Sequence, residues 1–134
     1  MTQDLQGAHM PMPLDAIIAF GAINNPNVRA GHHASQAAAE SAGLRGPVAY
    51  SLHYAGFVAD VLARRHGRGW SERGAVSLSF VRPVYAGDEL DVRIDERPLQ
   101  RPENAPAGAV QVDVYNQLRE LVAAGSAQLL PKEG

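Results

Sequence analysis

Downstream of residue 75 the chain alternates. Val76, Leu78 and Phe80 are spaced by Ser77 and Ser79, and Leu90, Val92 and Ile94 by Asp91 and Arg93, with Asp95 next. Val110, Val112 and Val114 are spaced by Gln111 and Asp113. A period of two sends successive side chains to opposite faces of a sheet, so each segment predicts a strand with one buried and one wet face. Leu121 to Leu130 reads as a further strand, with small residues at Ala123, Ala124, Gly125 and Ala127. Gly87-Asp88 and Asn116 to Glu120 carry turn chemistry, and Pro98 to Gly108 is a Pro-rich excursion between strands. The pattern predicts an antiparallel meander.

The upstream half reads differently. Residues 1–12 are polar and Met/Pro-rich, and are expected to be loose. Pro13 suits a first helical turn, followed by Leu14, Ile17, Ile18 and Phe20 on one apolar face. Gly21 to His33 is dominated by Asn, Pro and Gly, which is loop chemistry. A short Ala-rich helix follows and ends near Gly43. From Pro47 to His66 the chain is apolar on most sides, broken only by His53 and Asp60, with Arg64, Arg65 and His66 at the negative end of the helix dipole and Gly67 just beyond. A helix of that kind must be wrapped. Short helices, one long buried helix and a run of strands predict an α+β fold with the helices on one side of the sheet. Residues 13–134 are expected to form one domain, and the open sheet edge to be covered by another chain.

Bulk composition narrows the function classes. The 134 residues are 46% hydrophobic and 19% charged, with a formal net charge of -2. That balance argues against a nucleic-acid-coating protein, which needs a basic excess. Cysteine is absent, which excludes disulfides, thiolate nucleophiles and Cys-bound metals. No basic start followed by an apolar run marks the N-terminus, and no stretch approaches membrane-spanning length. The expectation is a cytoplasmic protein without a membrane, metal or cofactor. The adjacent His32 and His33 have no third ligand at metal-binding spacing.

Three segments together resemble the MaoC-like acyl-thioester hydratases and dehydratases. Gly43-Leu-Arg-Gly-Pro-Val-Ala-Tyr-Ser-Leu52 is similar to the family's entry into its central helix. Val81-Arg-Pro-Val-Tyr-Ala-Gly-Asp-Glu-Leu90 is similar to its F-x-x-P-V-x-P-G-D-x-L segment. Val114 to Ala127 is similar to N-Q-x-G-E-x-V-x-x-G-x-A, with Arg119 at the turn glycine, which suggests a turn needing no positive φ. The resemblance implies a hotdog fold, a curved antiparallel sheet around one long helix, and association as a homodimer or with another hotdog subunit. It implies addition of water to an enoyl thioester on CoA or acyl carrier protein. A carboxylate and a histidine would share the water, and a backbone N–H at the helix start would hold the thioester oxygen.

The chain departs from that family's D-x-N-P-x-H pattern. Val28 stands two residues after Pro26, where His is expected, and no Asp or Glu occurs from Ala16 to Ala39. Anchoring on the Gly43–Pro47 motif puts His33 in the catalytic role; a shift by one puts His32 there, with Asn27 five residues earlier. Asn27 is a candidate water-orienting residue, and Asn25 lies in the same loop. Ser51 corresponds to the glycine whose N–H holds the oxygen, with Tyr50 before it. Asp60 is the one carboxylate on the long helix and the residue on which a hotdog thioesterase reading depends; an ion pair with Arg64 is its plainer role. His53 reads as a buried, hydrogen-bonded histidine, Tyr50 and Tyr54 as core or interface packing, and Trp70 as a loop anchor. Arg82 and Arg93 are candidates for CoA phosphates. Three functions remain open on these residues: a hydratase or dehydratase, a non-catalytic partner subunit, and a thioesterase.

Overall fold

The structure is a computed structural model that describes residues 8–95 and 109–129. The elements in chain order are β1 (Ala8–Pro11), α1 (Leu14–Ala22), a 3-10 turn at Val28–Ala30, α2 (Gln36–Ser41), α3 (Ser51–His66), α4 (Arg68–Arg73), β2 (Gly74–Phe80), β3 (Glu89–Asp95), β4 (Val110–Tyr115) and β5 (Leu121–Leu129). The Pro98–Gly108 excursion lies outside the described residues. The five strands form one antiparallel sheet in the order β1-β3-β4-β5-β2. Helix and sheet segregate as the alternation predicts, and the arrangement is α+β.

The alternating segments of β3 and β4 bury the expected face, while in β2 Val76 and Leu78 are half-buried and Phe80 is exposed. Leu90, Val92, Ile94, Val112 and Val114 are buried, while Arg93 and Gln111 are exposed. The helix α3 contributes Tyr54, Val58, Val61 and Leu62 to the same core. Their spacing of four, three and one places them on a single stripe. Burial is therefore one-sided rather than all round, and Leu52 on the other side is 74% exposed.

Four expectations need correction. Residues 8–11, expected to be loose, form β1 against β3, with Ala8 opposite Val92 and Pro11 opposite Glu89. Ala8, Met10 and Met12 are a period-two set ending in a fully buried Met12; Pro11 is tolerated because β1 is an edge strand. Only β3, β4 and β5 form a meander. Strand β2 crosses to the far edge and pairs with β5, Gly74 opposite Leu129 through Phe80 opposite Ala123. The connection 81–88 packs along the entry to α3: Ala49 N–H donates to the Val84 carbonyl at 2.7 Å, and Ala86 N–H to the Pro47 carbonyl at 2.9 Å. Those bonds take residues 47–49 out of the helix, so α3 starts at Ser51 instead of Pro47. Trp70 lies on α4 rather than in a loop, buried in the core with its ring over Gly74.

The β4–β5 turn differs as well. Arg119 has φ 62, the left-handed region that the family's glycine would occupy without cost. The side-chain oxygen of Asn116 accepts from Leu118 N–H at 2.9 Å and Glu120 N–H at 3.0 Å, which holds the strained residue in place. One close approach and one buried turn cap constrain the sheet further. A Cβ on Gly125 would run into the backbone carbonyl of Ser77 on β2. Asp88 is buried and caps its turn, accepting from Tyr85 N–H at 2.8 Å and from Gln117 Nε2 at 3.0 Å.

Leu62 is fully enclosed on α3, so Leu62→Ala is expected to lower the unfolding free energy by about 3 kcal/mol in urea titration. Gly125→Ala should cost about 2 kcal/mol or more by forcing β5 and β2 apart.

Candidate functional site

The start of α3 faces a cavity of about 580 Å³. Its wall includes His32, His33, Tyr50, Ser51, Tyr54 and Arg82, with Leu44, Val48, Leu52, Phe80, Val81 and Val84 as the apolar lining. The cavity exists because the 81–84 connection and the 47–49 segment run side by side past the helix start. Among the described residues no Asp or Glu lines it.

His33 is held by chemistry that fixes its tautomer. Its Nδ1 lies 2.8 Å from the Val48 carbonyl. A carbonyl only accepts, so Nδ1 carries the hydrogen and, in the neutral ring, Nε2 keeps a free lone pair. Burial pushes the His33 pKa below 6.5; the Val48 bond opposes that shift, and the neighbouring His32 adds to it. At neutral pH His33 is therefore an uncharged base. Its ring stacks on Tyr50 with centroids 3.7 Å apart and planes 16° apart, and His32 tilts against it at 4.1 Å.

Ser51 is the first residue of α3. Tyr50, at the N-cap, offers no side-chain acceptor to the first turn. The opening amides of a helix have no intrahelical partner, and the dipole makes them attractive to a developing negative charge. The Ser51 hydroxyl bonds with Tyr54, whose own pKa is raised by burial against that bond. Tyr54 thus keeps its proton on the cavity wall.

The remaining candidates are elsewhere. Asn25 spends its side-chain oxygen on the Asn27 N–H at 2.9 Å, and neither residue lines the cavity. Asp60 is on the exposed side of α3, more than two turns from Ser51, and pairs with Arg64 at 2.9 Å. Arg93 sits on the polar face of the sheet and pairs with Asp91 at 2.7 Å. Of the two arginines only Arg82 reaches the cavity, where it also donates to the Leu121 carbonyl at 3.1 Å. His53 is not satisfied as expected: its Nδ1 is buried without a hydrogen-bond partner, and the ring stacks on Phe20 at 4.5 Å. Tyr54 and the Val48 carbonyl are groups at the candidate site that sequence reasoning did not place there. Tyr54 follows Ser51 by one helical turn; a backbone carbonyl leaves no signal in sequence.

A larger concavity of about 830 Å³ lies on the polar face of the sheet, lined by His9, Glu89, Asp91, Arg93, Asp113 and Arg119 among others. Its side chains pair with one another, His9 with Glu89 at 2.7 Å and Arg93 with Asp91 at 2.7 Å. Among the described residues no group of three His, Cys, Asp or Glu is arranged to hold a metal, and no helix is long and apolar enough to cross a membrane.

A sheet curved around one long helix, with a site at that helix's start, is the hotdog fold, and solved structures share it. The (R)-hydratase from A. caviae involved in PHA biosynthesis superposes with a TM-score of 0.68 at 22% identity, over 95% of this chain and 96% of that one. R-hydratase PhaJ1 from Pseudomonas aeruginosa gives 0.62 at 24%, over 96% and 82%. The HadBC (3R-hydroxyacyl-ACP dehydratase) complex from Mycobacterium tuberculosis gives 0.58 at 21%, over 96% and 98%. No curated protein matches in sequence. The family model for the MaoC-like domain matches residues 32–117, well over half of the chain, and the chain belongs to that family of hydratases and dehydratases.

The burial of two histidines gives a prediction. His33 and His53 both titrate below the unfolded value of 6.5 because burial disfavours their charged forms. The unfolded chain therefore binds more protons as the solution is acidified. Their contribution to stability is complete above 6.5 and is lost progressively as the pH falls from there through the folded-state values. Urea midpoints should drop between about pH 7.5 and about pH 5, and His53→Phe should flatten part of that slope.

Proposed function

We propose that the chain is a hydratase or dehydratase of 2-enoyl/3-hydroxyacyl thioesters, carried on CoA or acyl carrier protein, that works through a single histidine. The observation that supports this most is His33: neutral, tautomerically fixed by the Val48 carbonyl, and on the same cavity wall as the free amide end of α3. In the hydration direction, His33 Nε2 takes a proton from water as the water oxygen bonds to C3. The C2–C3 π electrons move toward the thioester, and the charge that develops on its oxygen is met by the Ser51 N–H. The imidazolium then returns the proton to C2, so one base serves both steps and no net proton is gained or lost. The apolar lining, with Val48, Val81 and Val84, suits an acyl chain, and Arg82 suits an anionic carrier.

Hydration of crotonyl-CoA, followed as loss of enoyl-thioester absorbance, tests the reading. His33→Ala should reduce kcat by at least about 100-fold, the usual worth of a positioned general base. His32→Ala should retain most activity, with the acid limb of kcat/KM displaced upward because a neighbouring positive charge is gone. An equal loss in both variants would overturn the assignment to His33.

One observation favours a second reading, a partner subunit: among the described residues the cavity wall has no carboxylate. Exposed Leu52, Phe80 and Val81 at the cavity mouth and the open edge of β2 are where another hotdog chain would sit. A folded wild-type chain without turnover, which raises the activity of a MaoC-like chain that has its own Asp–His pair, would establish that role. The position of Asp60 argues against a thioesterase, which needs its carboxylate beside the thioester.

A further inference from the structure

We propose that Tyr50 is a positioning residue for His33, its ring serving as the platform that turns Nε2 into the cavity, and that Gly21 is a glycine because the platform needs its space. This rests on His33 being the proton-transfer group. A single hydrogen bond from Nδ1 to Val48 fixes one edge of the imidazole and leaves the ring free to pivot about that bond. The Tyr50 ring, nearly parallel at 3.7 Å, blocks the pivot on one face, and His32 crowds the ring at 4.1 Å.

The platform is itself braced. Phe20 of α1 tilts against Tyr50 at 5.5 Å and stacks on His53 behind it. The Tyr50 hydroxyl points at Gly21: a Cβ there would run into that oxygen, and would lie 2.7 Å from Tyr50 Cζ and 2.6 Å from a methyl of Val28. The hydroxyl is therefore packed against α1, and the ring is the part that acts on the site. Tyr50 is also the N-cap of α3, with extended backbone at φ -77 and ψ 133. The residue that seats the base is thus adjacent to the amide that meets the thioester oxygen, and a shift in either moves both. Among the described residues the titratable and charged groups that share the cavity with His33 are His32, Tyr50, Tyr54 and Arg82, and no carboxylate lines it.

The experiment pairs nitrogen NMR of His33, which reports tautomer and titration without substrate, with kcat and KM for crotonyl-CoA hydration. Tyr50→Phe keeps the ring and should leave every reading within about twofold of wild type. Tyr50→Ala should lower kcat by at least about tenfold with KM changed much less, mix the two His33 tautomers, and raise the His33 midpoint as water reaches the ring. Gly21→Ala, which displaces the ring from behind, should move tautomer and kcat the same way, and it carries the test if Tyr50→Ala does not fold. An unchanged His33 tautomer and midpoint in either folded variant would overturn the proposal. So would a Tyr50→Phe as damaged as Tyr50→Ala, since that would give the role to the hydroxyl. If the tautomer moves but the wild type shows no turnover, the platform stands and the hydratase reading falls.

Discussion

The seating of one stripe of α3 on the sheet is the constraint from which the rest of the molecule follows. Tyr54, Val58, Val61 and Leu62 reach the core only if the helix lies along the concave face formed by β3, β4 and β5. A helix so placed brings its first turn to the end of the sheet, where its unpaired amides meet whatever chain passes there. The segments that pass are the loop bearing His32 and His33 and the 81–84 connection. The site is thus a by-product of core packing: an amide end, an imidazole and apolar walls are assembled because the buried stripe leaves the helix start nowhere else to go. Side chains fixed by packing are what a reaction needs from its surroundings, since they need no rearrangement as charge develops.

Strand faces were legible in the sequence and strand neighbours were not. Alternation in Leu90–Ile94 and Val110–Val114 says which side chains are buried, because the pleat decides that locally. It does not say that β2 lies beside β5, because that follows from the bonds the 81–88 segment makes to residues 47–49. The same bonds explain why Pro47, a good first-turn residue, is not in a helix. Strand β1 is masked by composition: Met and Pro carry little strand preference, although Ala8, Met10 and Met12 keep the period of two. Arg119 shows the converse, a family glycine position whose backbone shape survives in a residue that pays for it in strain, held by Asn116.

The site divides along similar lines. His33, Tyr50 and Ser51 were reachable because they sit at fixed offsets from the Gly46-Pro47 motif, and that motif binds the chain to the helix start. Asn27, placed by its spacing before His32, lies outside the cavity, and Asn25 and Asp60 are occupied at short range: Asn25 by an amide two residues on, Asp60 by an arginine one turn on. Spacings of two and four favour such local pairing, and that information was in the sequence. The Val48 carbonyl, which fixes the tautomer of His33, was not, since every residue has one.

The two margins of the sheet are unequal. Among the described residues the β1 margin is four residues long, includes a proline that has no N–H to offer, and carries the hydrogen-bonded pair His9–Glu89. The β2 margin is longer, free of proline and charge from Gly74 to Phe80, and ends in exposed apolar side chains. A sheet with two adhesive margins can add copies without limit, as fibrils do. With one margin blunted, strand-to-strand addition of a second copy uses the adhesive margin of both chains and leaves none for a third, so growth by this route halts at a closed, two-fold pair.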